Sequence, residues 1–202
     1  MLRTVLFDMG NVLVFFCHDR MCSQLGALCG RTGGEMRRLL LDSHLQWEFE
    51  RGQLSEAEFC NALSERVGQP LNIEDVRRAG SDIFEPHDEM LPILAGLRDA
   101  GIRLVLMSNT SISHLEWVRA QYTFLDYFDD LVLSYEAGAI KPEPAIYEVA
   151  LSKIECPPEQ CFYTDDIAKY VEAGREHGLQ AEVFRDAATL RKHLGDLGVA
   201  LA

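Results

Sequence analysis

The chain has 202 residues, of which 48% are hydrophobic and 25% charged, a composition typical of a folded protein and not of a disordered one. Nineteen basic and 32 acidic residues give a formal net charge of −13, which argues against a surface that binds nucleic acid or anionic lipid through bulk electrostatics. We therefore expect no nucleic-acid and no membrane partner. Any anionic ligand must be bound by local donors or by a cation.

The start of the chain is apolar, but it lacks the features of an export signal or a membrane span. No uncharged stretch reaches the ~18 residues of a span, and the apolar run 5–17 contains Asp8 and has no small-residue cleavage site. The six cysteines form no C-x-x-C pair and are typical of reduced core residues. Together these features predict a cytoplasmic protein.

Five short apolar runs predict the strands of one sheet, at 3–7, 102–107, 131–134, 161–164 and 181–184. Helical patterns alternate with them at 88–100, 113–122, 142–153, 167–177 and 187–197. Gly101 and Gly178 are placed as C-terminal stops of two of these helices. The alternation predicts an α/β fold with a Rossmann-like, doubly wound parallel sheet.

The segment between the first strand and residue 88 has a different pattern. It contains no strand-like run, and its helical patterns lie at 20–29, 34–43, 55–67 and 73–83. Ser55 and Glu58 have the spacing of a capping box, which predicts the start of one of these helices. We therefore predict a helical cap at about 15–85, inserted into an α/β core formed by 1–14 and 86–202.

Polar residues follow four of the predicted strands, at the sheet edge where ligands bind in open parallel sheets. These residues are Asp8 and Gly10, then Ser108, Asn109 and Thr110, then Lys141, and finally Asp165 and Asp166. Each group alone has an ordinary explanation as a turn residue, a helix cap, a solvated lysine or a favourable charge at a helix start. Four such groups in four successive loops favour a single site.

Four motifs in this order and spacing resemble the four signatures of the haloacid dehalogenase superfamily: FDMGNVLV at 7–14, LMSNTS at 106–111, GAIKPEPAIY at 138–147 and FYTDD at 162–166. The match spans the whole chain. The inserted segment, with WEFERGQLSEAEF at 47–59, is similar to the helical cap of subfamily I. The string D-x-G-N-V most resembles the branch that contains bacterial α-glucose-1-phosphate phosphatases.

The resemblance implies an Mg²⁺-dependent phosphatase that acts on a small phosphorylated metabolite, with a sugar 1-phosphate as the leading candidate. Asp8 would be the nucleophile and would form an aspartyl-phosphate. Mg²⁺ would be held by Asp8, Asp166 and the backbone carbonyl of Gly10, with Asp165 acting through water or behind the ligands. A hard cation surrounded by oxygen atoms suits this set of residues.

The resemblance also implies roles at the phosphoryl group for three further residues. Ser108 would donate a hydrogen bond to a phosphoryl oxygen, and Asn109 would help to place it. Lys141 would neutralise the charge that develops on the equatorial oxygens and on Asp8. A bound cation and Lys141 would then explain how an acidic protein binds an anion.

Gly10 departs from the pattern, because most phosphatases of this superfamily have there a second aspartate that protonates the leaving group. A substrate with a good leaving group, such as a sugar 1-phosphate or an acyl phosphate, would need less help from an acid. Alternatively, His18 or Asp19 would supply the proton. A third alternative is a 2-haloacid dehalogenase, whose halide leaves without a proton, although such enzymes need no metal and lack the acidic pair found here at 165–166.

A binding module without turnover is an alternative of a different class. Gly10 favours it, and so does Tyr170, which stands where relatives often have an asparagine. The presence of Asp8, Ser108, Lys141 and Asp166 counts against it. The sequence leaves the substrate, the proton donor and the oligomeric state open.

The predicted cap contains aromatic and charged residues whose patterns have two interpretations. Near-helical spacing favours cap core over a substrate-stacking surface for three aromatic residues, Trp47, Phe49 and Phe59. A solvated helix face is favoured over contacts to a sugar for three charged residues, Glu48, Glu50 and Arg51. Phe15 and Phe16 are expected to pack in the hinge between core and cap.

Overall fold

The structure is a computed structural model that describes residues 1–201. Its strands are β1 (Thr4–Phe7), β2 (Val14–Phe16), β3 (Phe84–Pro86), β4 (Arg103–Ser108), β5 (Asp130–Leu133), β6 (Cys161–Asp165) and β7 (Gln180–Val183). Its helices are α1 (His18–Cys29), α2 (Gly33–Arg37), α3 (Leu45–Glu50), α4 (Glu56–Val67), α5 (Ile73–Ser81), α6 (Leu91–Asp99), α7 (Ile112–Gln121), α8 (Ser134–Ala137), α9 (Pro144–Lys153), α10 (Ala168–Glu176) and α11 (Ala187–Asp196).

The central sheet has the strand order β5-β4-β1-β6-β7, and every neighbouring pair in it is parallel. Strand β1 is buried along its whole length, because both faces of the sheet are covered. Successive side chains alternate between the two faces, so Val5 and Phe7 contribute to one hydrophobic cluster and Leu6 to the other. The predicted α/β fold with a parallel sheet is confirmed.

The inserted segment is mainly helical and contains α1 to α5. The predicted capping box is present, because the Ser55 hydroxyl accepts from the Glu58 amide and the Glu58 carboxylate accepts from the Ser55 amide. The pattern at 34–43 forms α2 followed by a wider π-helical turn, Arg38–Asp42. The sequence pattern missed helix α3, and this helix matters for the site.

A short antiparallel sheet formed by β2 and β3 lies where the inserted segment leaves and rejoins the rest of the chain. The prediction of no strand before residue 88 is wrong here. Each strand has only three residues, too few for an alternating pattern, and their pairing joins Val14 to Pro86 far along the chain. The cap limits at about 15 and 85 stay a prediction.

The loop before α9 differs from its prediction, because the helix begins at Pro144 and not at residue 142. Lys141 and Pro142 therefore lie outside the helix, and Lys141 reaches back under the sheet edge. Among residues 1–201, no helix combines the length and the apolar character that crossing a membrane requires.

Candidate active site

The carboxyl ends of β1, β4 and β6 meet at one sheet edge, and each end supplies a polar side chain. Asp8 directly follows β1, Ser108 is the last residue of β4, and Asp165 is the last residue of β6. The backbone amide of Asp8 donates to the Thr164 carbonyl at 3.0 Å, which continues the β1-β6 register by one residue. The sheet register therefore fixes where the Asp8 carboxylate lies relative to Asp165.

The ammonium group of Lys141 lies between these carboxylates and is buried, with 1% of the residue exposed. Its Nζ atom is 2.7 Å from Oδ1 of Asp8, 2.5 Å from Oδ2 of Asp165 and 3.1 Å from the carbonyl oxygen of Met107. An ammonium group has three protons, and here three acceptors match them. Lys141 therefore holds the two carboxylates in place.

The charges of this cluster shift one another's ionisation. Burial lowers the pKa of Lys141, but Asp165 and Asp8 outweigh burial, so the net shift is upward and the lysine stays protonated. Burial raises the pKa of Asp8 to about 7 although Lys141 opposes the shift. Further positive charge beside Asp8 would favour the carboxylate form that a nucleophile needs.

Asp165 and Asp166 have different surroundings. Besides contacting Lys141, Asp165 accepts from the Tyr163 hydroxyl at 2.6 Å and from the Ile167 amide at 2.8 Å, so neighbouring groups hold both of its oxygens. Asp166 is half-buried, lines the cavity beside Asp8 and accepts from Nδ2 of Asn11 at 3.0 Å. Burial raises the pKa of Asp166.

The donor set fits a hard divalent cation. Asp8, Asp165 and Asp166 each have a carboxylate oxygen within 4.8 Å of the others. The set contains only oxygen ligands, which Mg²⁺ prefers. When all three are ionised, Lys141 balances one of their charges and a negative excess remains. A phosphate dianion would be repelled from this cluster unless a cation joined it.

Ser108 and Asn109 lie next to each other at the end of β4 but make different contacts. Ser108 is buried and lines the cavity. Asn109 also lines the cavity, while its Oδ1 accepts from the Lys141 amide at 2.7 Å and its Nδ2 donates to the Lys141 carbonyl at 3.2 Å. Asn109 thus fixes the loop that carries Lys141.

Gly10 lies beside Asp8, and the ring of Phe16 fills the space next to it. A Cβ atom at position 10 would lie 2.7 Å from Cε1 of Phe16, closer than real Cβ atoms approach other heavy atoms. Phe16 is the last residue of β2 and packs on the hydrophobic core. A side chain at position 10 therefore requires the Phe16 ring to move.

A cavity of about 130 Å³ lies between this sheet edge and the helices of the inserted segment. Asp8, Ser108 and Lys141 line one wall, while Trp47 and Glu50 line it from the inserted segment. The cavity thus brings together the eight residues that the sequence predicts for the site: Asp8, Gly10, Ser108, Asn109, Thr110, Lys141 and Asp166 line it, and Asp165 contacts Lys141.

The two alternative proton donors lie in different places. His18 lines the cavity, and burial lowers its pKa. The side chain of Asp19 is 83% exposed and forms an ion pair with Arg37 at 3.0 Å. Asp19 is not among the residues that line the cavity. The structure therefore leaves His18 as a candidate and argues against Asp19.

Sequence reasoning misjudged Glu50, which is 5% exposed and lines the cavity. Its Oε1 accepts from Nε2 of Gln46 at 2.9 Å, and burial raises its pKa to about 7 against this hydrogen bond. The expectation of a solvated helix face is wrong at this position. The sequence did contain a signal for this burial. Gln46 and Glu50 are four residues apart, as are Leu45 and Phe49, and this spacing puts four buried residues on one side of α3.

The aromatic residues of this helix divide between the core and the cavity. Phe49 and Phe59 stack with ring centroids 4.5 Å apart and are buried, as predicted for core residues. Trp47 is only partly buried and lines the cavity. Only the two phenylalanines match the prediction of a cap core.

The turn after Glu50 is attached to the parallel-sheet part of the chain by backbone contacts. The hydroxyl of Ser134 accepts from the Thr110 amide at 2.9 Å and lies 2.6 Å from the Glu50 carbonyl oxygen. Gly52 has a φ of +70°, and a Cβ atom there would lie 2.1 Å from the Tyr135 carbonyl oxygen. This close approach requires glycine and fixes the position of α3 over the cavity.

Comparisons with known proteins agree with this geometry. A family model described as haloacid dehalogenase-like hydrolase matches residues 2–178, which confirms the superfamily resemblance. The chain is 28% identical to a D-ribitol-5-phosphate phosphatase of Bacteroides thetaiotaomicron over 96% of this chain and 97% of that protein. It is 25% identical to a phosphatase of Mycobacterium tuberculosis, over 99% and 97%.

A crystal structure also resembles the fold of this chain. It is that of a HAD-family enzyme of Bacteroides thetaiotaomicron in complex with magnesium and inorganic phosphate. The TM-score is 0.83 at 24% identity, and the likeness covers 94% of this chain and 99% of that one. This likeness establishes the fold.

Proposed function

The chain belongs to the haloacid dehalogenase-like hydrolases, and on that premise we propose that it is an Mg²⁺-dependent phosphatase that hydrolyses a small phosphorylated metabolite through an aspartyl-phosphate on Asp8. One observation carries the proposal: Lys141 bridges Asp8 and Asp165 at 2.7 and 2.5 Å, at the edge of a cavity that Asp166 also lines. The names of two full-length relatives, both phosphatases, support it.

In the first step, the free carboxylate oxygen of Asp8 attacks phosphorus and the bond to the leaving oxygen breaks. Lys141 contacts Oδ1 of Asp8, so it favours the carboxylate form and orients the other oxygen toward the cavity. Ser108 donates a hydrogen bond to a phosphoryl oxygen from the end of β4. In the second step, water attacks the aspartyl-phosphate and frees Asp8.

Asp8, Asp166 and the carbonyl of Gly10 would hold Mg²⁺, which when bound supplies charge that offsets the repulsion between a carboxylate and a phosphate dianion. Asp165 acts from behind these groups, because its oxygens already bind Lys141, Tyr163 and the Ile167 amide. Asn109 positions Lys141 through two backbone hydrogen bonds.

For the substrate, we propose a sugar or polyol phosphate, and a sugar 1-phosphate stays the leading candidate from the motif at Asp8. A cavity of about 130 Å³ suits a small substrate. The relative named as a D-ribitol-5-phosphate phosphatase supports a polyol phosphate as well. We also propose a cytoplasmic location, in keeping with six free cysteines in the described part of the chain.

Tyr170 is compatible with an active enzyme. Its ring centroid lies 5.3 Å from Nζ of Lys141, a distance at which a ring face attracts a cation. The tyrosine therefore shields the lysine and contributes to its burial. Because of this contact, Tyr170 is a weaker argument for a binding module without turnover.

The test measures phosphate release from 4-nitrophenyl phosphate, with Mg²⁺ or with EDTA, for the native protein and for Asp8→Asn. Activity that needs both Mg²⁺ and Asp8 is the expected result. Asp19→Asn serves as the matched control, because this exposed aspartate pairs only with Arg37 in the structure. A folded native protein that releases no phosphate would contradict the proposal, and halide release from a 2-haloacid would then separate a dehalogenase from a binding module.

A further inference from the structure

The leaving oxygen of a phosphate monoester needs a proton unless the alcohol is unusually acidic, and position 10 cannot supply one. Gly10 has no side chain, and the Phe16 ring occupies the space beside it. Lys141 has all three of its protons matched by acceptors. In the proposed function Asp166 holds Mg²⁺, so the sheet-edge wall offers no free carboxyl group to protonate the leaving oxygen.

The direction of attack defines where a proton donor must lie. In phosphoryl transfer the attacking and leaving oxygens are roughly in line on opposite sides of phosphorus. Asp8 attacks from the end of β1, so the leaving oxygen faces away from the sheet edge and toward the inserted helices. A proton donor must therefore come from the wall that these helices form.

Two histidines line the cavity, His18 at the start of α1 and His114 in α7, and both are poorly suited to the task. Burial lowers the pKa of His114 to about 4, and its Nε2 lies 3.2 Å from the Gly80 carbonyl oxygen. Burial also lowers the pKa of His18. Both shifts favour the neutral imidazole, which is a weak proton donor.

Glu50 lies on the same wall, and its position is fixed. Gln46 donates to Oε1 at 2.9 Å, and the backbone of Glu50 is tied to Ser134 at 2.6 Å. The residue is almost completely buried between the inserted segment and the sheet edge. A carboxyl group in such surroundings remains protonated to a higher pH than an exposed one.

We propose that Glu50 is the general acid and base of this phosphatase and takes the place of the carboxyl group that is absent at Gly10. The inference rests on the proposed phosphatase activity of Asp8. It assigns to the inserted segment a chemical step in addition to any role in enclosing the substrate.

The proton is conserved over the two steps. The Glu50 carboxyl gives its proton to the leaving oxygen as the bond between this oxygen and phosphorus breaks, and the alcohol departs. The Glu50 carboxylate then takes a proton from the water whose oxygen attacks the aspartyl-phosphate. Hydrogen phosphate leaves, Asp8 is a carboxylate again, and Glu50 is protonated for the next turnover.

The test compares Glu50→Gln with the native protein on two aryl phosphates, with rapid mixing to observe the first turnover. The leaving group of 4-nitrophenyl phosphate needs little protonation, whereas the phenolate released from phenyl phosphate is a stronger base, because phenol is about as weak an acid as the tyrosine side chain, with a pKa of ~10. For Glu50→Gln we expect a burst of nitrophenolate at the native rate, followed by slow turnover as the aspartyl-phosphate accumulates. With phenyl phosphate we expect the first turnover to slow by about 10²- to 10⁴-fold.

Two further variants make the test specific. Glu48→Gln removes a carboxyl group from the same helix at a less buried position and is the matched control, with kinetics expected to stay native. Glu50→Asp keeps a carboxyl group and should restore part of the phenyl phosphate rate. It also keeps the test decisive if Glu50→Gln proves unstable.

The pH profile supplies an independent readout. Because the acid must be protonated, the native first-turnover rate on phenyl phosphate should fall as the pH rises past about 7, and Glu50→Gln should lack this fall. The ionisable groups that share the cavity with Glu50 are Asp8, His18, His114, Lys141, Asp166 and Tyr170. Burial raises the pKa of Tyr170 and the charge of Glu50 adds to this shift, so only the loss of the fall near pH 7 in the variant is assigned to Glu50.

Equal slowing of the first turnover on both aryl phosphates, or no slowing on phenyl phosphate, would overturn the role of Glu50 while leaving the phosphatase intact. Absence of phosphate release by the native protein would instead contradict the proposed function, and the role of Glu50 with it. Phosphate release by the native protein therefore distinguishes the two failures.

Discussion

The two walls of the cavity stabilise buried charged groups in different ways. The sheet-edge wall contains Asp8 and Lys141, and the helical wall, formed by the inserted segment, contains Trp47 and Glu50. At the sheet edge, Lys141 contacts both Asp8 and Asp165, so its positive charge balances part of the negative charge there. On the helical wall, Glu50 has a single amide partner, Gln46, and burial shifts it toward the neutral form. One wall is stabilised by ion pairing and the other by protonation.

This difference indicates which conditions each wall responds to. A wall that keeps an excess of negative charge responds to divalent cations, because added positive charge relieves repulsion. A wall with one protonated carboxyl group responds to pH near neutrality, because its charge changes there. Burial raises the pKa of Asp8 to a similar value, so a pH effect is assigned to one wall only when a substitution on that wall removes it.

The largest effect is expected at the sheet edge from Asp8→Asn. The amide keeps the size of the side chain but is a poor nucleophile, so kcat on 4-nitrophenyl phosphate should fall by about 10⁴-fold or more. The thermal midpoint should change little by comparison. Residual activity within tenfold of the native protein would show that Asp8 is not the nucleophile.

Lys141→Met should weaken the same wall through its charges. The substitution leaves Asp8 and Asp165 buried without their cation, which typically costs about 3–5 kcal/mol of unfolding free energy. Urea denaturation at pH 7 measures the loss. Lys153→Met is the control, because this lysine pairs with Asp130 at a more exposed position. Equal losses in the two variants would contradict the central role of Lys141.

On the helical wall, Glu50→Gln should stabilise the protein at pH 8. The pKa of Glu50 is raised to about 7 in the folded state from 4.5, so the native protein loses stability as the pH rises through this window, whereas the variant does not. We expect the variant to be more stable by about 1–3 kcal/mol at pH 8 and nearly equal at pH 4.5. Denaturant unfolding at both values checks the sign, and a destabilised variant at pH 8 would contradict the burial of a neutral carboxyl.

The smallest effect is expected where the two walls are joined. Ser134→Ala removes the hydroxyl that contacts the backbone of Thr110 and Glu50, which should lower the unfolding free energy by about 1–2 kcal/mol. Ser152→Ala removes an exposed hydroxyl that bonds only the Val149 carbonyl and should cost less. Hydrogen exchange at Thr110 should accelerate in the first variant alone.

The sheet-edge wall was predictable because its residues follow from local patterns. The apolar runs identify β1, β4 and β6, and parallel strands bring their carboxyl ends together whatever the intervening segments do. Asp8, Ser108 and Asp165 are therefore placed by periodicity and chain order. The three acceptors that surround the Lys141 ammonium group are brought together by side-chain packing. The sequence pattern does not predict such packing.

The helical wall was harder to predict because it depends on distant contacts. Helix α3 has six residues, too few for a clear periodic pattern. Glu50 is buried because its helix docks against residues such as Ser134, 84 positions along the chain. Strands β2 and β3 likewise form only through pairing across the inserted segment. In each case the deciding interaction is tertiary, so local propensity gives little warning.

The contact between Gly10 and Phe16 links two positions as the chain changes over evolution. A mutation that introduces aspartate at position 10 meets the Phe16 ring, so it requires the ring to move and is accommodated more easily with a smaller residue at position 16. The two sites are thus expected to be epistatic, with the order of substitutions constrained. In an alignment of relatives, glycine at the first position should co-occur with a large aromatic residue at the second, and a carboxyl group with a smaller one.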